Sequence, residues 1–347
     1  MRRAMSTLLE RDCLFQLNVL LWAAMPQPDG APVIPVLHQA GYTLFAIELP
    51  LDASTTERAL ITGSDPKINP NPVPDAVFIH HARATLVLVE CKPDSFTRES
   101  ERAPQGRGMI AAAGNIKLRM PGTIGSLAEV CYLVPMDAAV AMDTTLMTLL
   151  SEVSAQGFAG CPTSPVGVFV KSDGVYLGLT ARPQGSAYMP SRLIPERCVV
   201  AVSAGQDPRP LYIIPWIPGA EDPTDLLAFK EKIRAFLLSS LGRAPIGTVT
   251  ALSFGDILDG VSRGVYQQWR DRRTMEGGVF SKVASIIALL LDDDTSVVIR
   301  RNEVRVRLDS EGDRQHLLEH VRMRGLAPNF PDAVQLQFWP GDTDVGL

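Results

Sequence analysis

Cysteine and histidine are scarce in this chain, with five of each in 347 residues. The cysteines, Cys13, Cys91, Cys131, Cys161 and Cys198, are odd in number, scattered and without a CxxC pair. Their spacing argues against a disulfide framework or a cysteine zinc site and fits a reducing cytoplasm. Basic charge is short as well: 33 Lys and Arg stand against 38 Asp and Glu, a net charge of −5. A surface that is basic all over is thereby excluded, so any nucleic-acid site has to be local. No apolar run is long enough to span a bilayer, and no membrane association is expected. The sequence contains neither GxxxxGKS nor GxxxxGKT, so nucleotide-driven motor activity would have to come from a partner.

What the chain does have is apolar material. Hydrophobic residues make up 46% against 20% charged, enough to offset chain entropy with a packed core. The length favours two domains, and the change of texture after Pro218-Gly219 divides them at 1–220 and 221–347. The start imitates a signal peptide, with Arg2 and Arg3 ahead of apolar residues 17–25. Glu10, Arg11 and Asp12 interrupt that pattern, and the reading is an amphipathic first helix over 5–25.

After that helix, the periodicity predicts strands at 42–49, 75–81 and 84–92, then a helix from Arg102 into the alanine-rich stretch near Ala111. A strand at 129–136 comes next, followed by a helix at 143–156 capped by Asp143. A hairpin at 166–179 turns at Ser172-Asp173-Gly174, and strands at 198–202 and 211–217 extend the sheet. The order describes a mixed α/β layer structure. Beyond 221, three helices (223–241, 253–270, 279–291), a strand pair (296–300, 304–308) and a last helix (311–324) outline a mainly helical, winged-helix-like domain.

The informative segment is 74–92. If a hairpin turns at Ala82 and Arg83, Ile79 faces Leu86, Val77 faces Leu88, and Asp75 faces Glu90. Strand alternation then projects Lys92 from the same side as Glu90. Both faces of this hairpin are apolar, which marks central strands with two acids and a lysine at one end. Adjacent desolvated carboxylates repel each other, and a hard divalent ion, most simply Mg²⁺, resolves the conflict. Such an ion beside an ammonium suits phosphodiester hydrolysis.

Pro74-Asp75, a fourteen-residue spacer and Glu90-Cys91-Lys92 resemble the signature of the PD-(D/E)xK nuclease superfamily. The resemblance covers about residues 5–180 and implies a restriction-endonuclease-like mixed sheet flanked by helices. It implies that Asp75 and Glu90 hold the metal, with Mn²⁺ able to replace Mg²⁺, and that Lys92 serves the attacking water. It further implies an acid from the first helix and a polar residue from the helix after the lysine. Glu10 and Gln105 stand in suitable places, Glu48 less so.

Basic residues cluster twice in the second half: Arg263, Arg270, Arg272, Arg273 and Lys282, then Arg300, Arg301, Arg305 and Arg307. On a winged helix these are phosphate-facing positions, so Arg270, Arg272, Arg273, Arg300, Arg305 and Arg307 are the candidate DNA contacts. Arg98, Arg102 and Arg107 form a further segment beside the acids. His316 and His320 with Glu319 match the HxxEH order of inverted zinc proteases, against which a solvated helix face is the favoured reading. The expectation is a metal-dependent endonuclease acting on DNA, with RNA as the alternative substrate, in defence or repair with partner proteins. Double-strand cutting would call for a homodimer. The alternative is an inactive member of the same fold that binds DNA or scaffolds a complex.

Overall fold

A computed structural model describes residues 9–27, 30–51, 55–114, 127–178, 196–202, 207–220, 222–271, 275–291, 296–300 and 302–325. The chain forms two compact units, 1–206 and 207–347.

In the first unit, helices α1 (Cys13–Ala24), α2 (Val36–Gln39) and α3 (Thr55–Thr62) alternate with strands β1 (Tyr42–Ile47), β2 (Ala76–His80) and β3 (Thr85–Cys91). Helix α4 (Ala103–Gly114), β4 (Leu127–Pro135), α5 (Ala139–Ala155), β5 (Thr163–Lys171), β6 (Gly174–Gly178) and β7 (Arg197–Ala201) follow. The seven strands lie in chain order, β1 to β7. Pairs β3/β4 and β4/β5 are parallel and the other four antiparallel. Helices α4 and α5 are the crossovers that parallel pairing requires. Because helices cover both faces of the central strands, these read as near-continuous apolar runs.

On one face Val77, Leu88, Val130 and Tyr132 pack with Met109 of α4 and Leu146 of α5. Helix α1 touches β1, β3 and β7. Since β1 and β7 are the outer strands, the sheet must curl around that helix. Its residues Leu14 to Ala24 are all buried, which corrects the amphipathic expectation: a helix apolar all round is an interior one. The expected single helix over 5–25 is also divided. Leu9 and Glu10 are helical, but Asp12 takes an extended conformation and its side chain accepts the Leu14 N–H at 2.8 Å, starting α1 afresh. An aspartate satisfies an orphan amide better as a cap than inside a helix. Residues 5–8 lie outside the described residues.

Helix α5 starts before Asp143, which sits in its interior and not at its cap. Residues 211–217 form no strand; a 3-10 turn at Arg209–Leu211 leads instead into an irregular buried segment of the second unit. There Arg209 pairs with Asp207, Asp222 and Asp225, and Asp222 caps helix α6 (Pro223–Gly242). The order continues β8 (Val249–Ser253), α7 (Phe254–Ser262), α8 (Phe280–Leu291), β9 (Val297–Ile299), β10 (Glu303–Arg307) and α9 (Glu311–Gly325). Strand β8 is absent from the sequence reading. It completes an antiparallel three-stranded sheet in the order β8-β10-β9. The helix expected to reach residue 270 ends at Ser262, where Arg263 caps it in the left-handed conformation (φ 57°). Among the described residues no helix is long and apolar enough to cross a membrane.

Helix α4 lies close against the loop leading to β2. A Cβ on Gly108 would collide with the carbonyl oxygen of Asn69. Main chain cannot yield cheaply, so Gly108→Ala is expected to cost about 1–3 kcal/mol in urea unfolding. Gly63→Ala, with open space around it, should stay within about 0.5 kcal/mol.

Candidate active site

Strands β2 and β3 pair Ala76 with Val89, Val77 with Leu88, Phe78 with Val87, Ile79 with Leu86 and His80 with Thr85. This is the register read from the sequence. A 3-10 turn at His81–Arg83 and Ala84 in the left-handed conformation (φ 48°) close the hairpin. Asp75 and Glu90 therefore face each other one step beyond the last paired residues, where a main chain-to-side chain bond links the two strands. The Cys91 N–H donates to Asp75 Oδ2 at 2.6 Å. The Glu48 N–H holds the Asp75 carbonyl at 3.1 Å.

Lys92 completes the cluster. Its Nζ lies 2.6 Å from Glu90 Oε1, with the Glu90 side chain 5% exposed and that of Lys92 19%. Burial, reinforced by the Asp75 charge, pushes the Glu90 carboxyl up to about 8. Burial likewise raises the Asp75 carboxyl, against the pull of Lys92 and the Cys91 N–H. The strongest single influence on Lys92 is burial, which would lower it, but the combined attraction of Glu90 and Asp75 raises it. Desolvation and a like charge both oppose ionisation of the acids, while the ammonium favours it.

Three side chains not singled out in the sequence reach this cluster. Tyr132, fully buried, pairs with Glu90 across β3/β4. Burial raises its phenol, as do the nearby Glu90 and Asp75. Cys13, at the start of α1, donates its thiol to the Cys91 carbonyl at 3.5 Å. Burial, with Asp75 adjoining, pushes that thiol up to about 12. Gln16, one turn further on, donates from Nε2 to the Lys92 carbonyl at 2.9 Å and to the Glu10 carbonyl at 2.8 Å. Each needs a long-range pairing to arrive, so the only sequence signal is a polar or thiol group inside an apolar run.

The two auxiliary residues suggested by resemblance are engaged elsewhere. Glu10 Oε1 accepts the Val170 N–H of β5 at 2.6 Å, and burial raises its carboxyl. Gln105 donates to the Val73 carbonyl at 2.9 Å and accepts from Asn69 at 2.7 Å, so it braces the loop two residues before Asp75. Arg107 does not face solvent phosphate. It is buried, pairs with Glu152 at 2.8 Å and donates to the Lys67 and Arg98 carbonyls.

In the second unit Arg270 and Arg300 are exposed, and Arg272 and Arg273 lie outside the described residues. Val304 and Val306 are buried, so Glu303, Arg305 and Arg307 share the outer face of β10. Arg305 pairs with Glu303 and Arg307 with Asp309. His316 and His320 are neighbours on α9, their ring centroids 6.5 Å apart, and Glu319 lies 3.7 Å from Arg322. Among the described residues no group of three or more His, Cys, Asp or Glu is gathered to hold a metal ion.

Compared with known protein families, curated proteins and solved structures, the chain matches none.

A divalent ion nevertheless suits the acids that converge here. Glu90 Oε2 is buried with no hydrogen-bond donor among the described residues. An orphan acceptor of this kind costs about 1–3 kcal/mol, more when charged, and a cation would offset it. Mg²⁺ retains several waters and is commonly held by one or two carboxylates, so Asp75 and Glu90 are a sufficient pair.

The pH dependence has a definite sign. Glu90 binds its proton more tightly in the folded state than at the ordinary 4.5, so its contribution to stability is full below that value and lost as pH rises through about 8. Melting curves across this interval should show wild type losing stability relative to Glu90→Gln as pH increases. A difference independent of pH would contradict the raised carboxyl.

Proposed function

We propose that the first unit is a metal-dependent phosphodiesterase of the PD-(D/E)xK type, with a restriction-endonuclease-like fold and DNA as substrate. What supports this is the convergence of Asp75, Glu90 and Lys92 at the C-terminal end of β3, on the hairpin register that makes the two acids neighbours. Asp75 and Glu90 would hold Mg²⁺, or Mn²⁺ in its place, and the ion would supply Lewis acidity toward a phosphate oxygen and a water. The Cys91 N–H orients the Asp75 carboxylate at this strand end. Lys92 presents an ammonium at the same strand end, where limited solvent strengthens its attraction for charge developing on a phosphate. The Glu48 N–H holds the Asp75 carbonyl, and the Gln105 side chain braces the loop before it through Val73 and Asn69.

The described elements of the second unit run helix, strand, helix, helix, strand, strand, helix, with the sheet arranged β8-β10-β9. We read it as a winged-helix-like module whose β9/β10 hairpin is the wing, with Arg300, Arg305 and Arg307 toward DNA phosphates. Defence against foreign DNA is the setting we favour, by analogy of fold. One observation favours a second reading, an inactive DNA-binding subunit: the Lys92 ammonium is already committed to Glu90 at 2.6 Å.

Incubation of the full chain with plasmid and Mg²⁺ or Mn²⁺ separates the two readings. Cutting should require metal, and Asp75→Ala, Glu90→Ala and Lys92→Ala should each lower its rate by about 100-fold or more. Retention of DNA without cutting by any form would establish the binder. In salt titrations of DNA binding, Arg305→Ala and Arg307→Ala should each flatten the slope of log K against log salt by about 1. Unchanged slopes would remove the wing from the interface.

A further inference from the structure

Resting on this hydrolytic reading, we propose that Gln16 is the positioning residue for the Lys92 amine and acts through the Lys92 main chain. Gln16 is fully buried in α1, on the face of the sheet away from α4 and α5. Its Nε2 donates to two carbonyls, Glu10 at 2.8 Å and Lys92 at 2.9 Å. Both neighbours are acceptors, so chemistry fixes the amide orientation: reversed, Oε1 would abut two carbonyl oxygens. The cost of this orientation is visible, because Oε1 is buried with no donor among the described residues.

The Lys92 peptide is held on both sides. Its N–H donates to the Leu133 carbonyl of β4 at 2.8 Å, and its carbonyl accepts from Gln16. Pro93 follows, so the next residue has no N–H with which to extend the ladder. Past that point the chain is tied by Arg11, which donates to the Pro93 carbonyl and pairs with Asp94. The bond from Gln16 is thus the last one that sets the direction in which Lys92 leaves the strand and meets Glu90. The same amide pins the break ahead of α1 to that strand end, and the Cys13 thiol adds a weak contact to Cys91 beside it.

The test is competitive acetylation of the full chain by acetic anhydride, read by mass spectrometry as labelling of Lys92 relative to exposed Lys67. Gln16→Met removes both polar atoms; Gln16→Leu does the same with a shorter side chain and serves where the first variant does not fold. Either should speed Lys92 labelling relative to Lys67 about fivefold, the factor that the net strength of one hydrogen bond corresponds to. With activity established, kcat should fall about tenfold at unchanged KM for DNA, the signature of a misplaced group and not of weaker binding. A variant that folds, melts earlier and leaves Lys92 labelling unchanged would overturn the proposal and reduce Gln16 to packing. The labelling needs neither metal nor cleavage, so it still reports on Gln16 if wild type cuts nothing, an outcome that counts against the hydrolytic reading alone.

Discussion

A carboxylate withdrawn from water at the end of a central strand has to be balanced, and the Glu90 site is organised around that need. Lys92 neutralises one oxygen at 2.6 Å, while the other has no donor among the described residues. Asp75 brings a second negative charge to the same end, held by the Cys91 N–H. One ammonium against two acids leaves the cluster short of positive charge; burial raises both carboxyls, and the Asp75 charge adds to the rise at Glu90. The sheet supplies the burial: β3 lies between β2 and β4, with α4 and α5 over one face and α1 over the other.

This arrangement is legible in the sequence where contacts are local. The hairpin register follows from the short turn between the two strands, whose length decides which residues face each other. That register fixes the facing of Asp75 and Glu90, and two-residue alternation adds Lys92. Element types hold for the same reason over α4, the β5/β6 hairpin and most of the second unit. Where capping or main-chain geometry decides the outcome, periodicity misleads. Asp12 restarts a helix that the leucines alone would carry through, and Arg263 with Gly264 at φ 79° ends α7 early. Strand β8 is hidden because Val249 and Ala251 face outward and break the expected alternation. Residues 211–217 are apolar enough for a strand but are buried as irregular chain behind Arg209 and its three aspartates.

The rest of the site is illegible for a different reason. Tyr132 arrives through a parallel pairing whose register depends on a crossover helix, and Cys13 and Gln16 arrive because the sheet curls onto α1. Spacing along the chain carries no trace of either event. The resemblance brings Glu10 and Gln105 to the acids, and the structure gives each a main-chain partner instead, Val170 and Val73.

Polar satisfaction separates the residues that build from those that wait. Gln105, Arg107, Glu10 and Asp12 have their charged or amide groups met by partners within the chain. Glu90 Oε2 and Gln16 Oε1 do not, and both belong to residues bonded to Lys92. An orphan acceptor is not by itself diagnostic: His80 Nδ1, on β2 near the hairpin turn, is one too. The difference is charge. An ionised carboxylate oxygen without a donor bears the penalty of an uncompensated buried anion, larger than that of one lost hydrogen bond. That penalty is relieved either by protonation, which the raised Glu90 carboxyl favours, or by a cation from outside the chain. The two compete for the same oxygen, so the site that holds a proton most readily at neutral pH is also the one with most to gain from a metal ion.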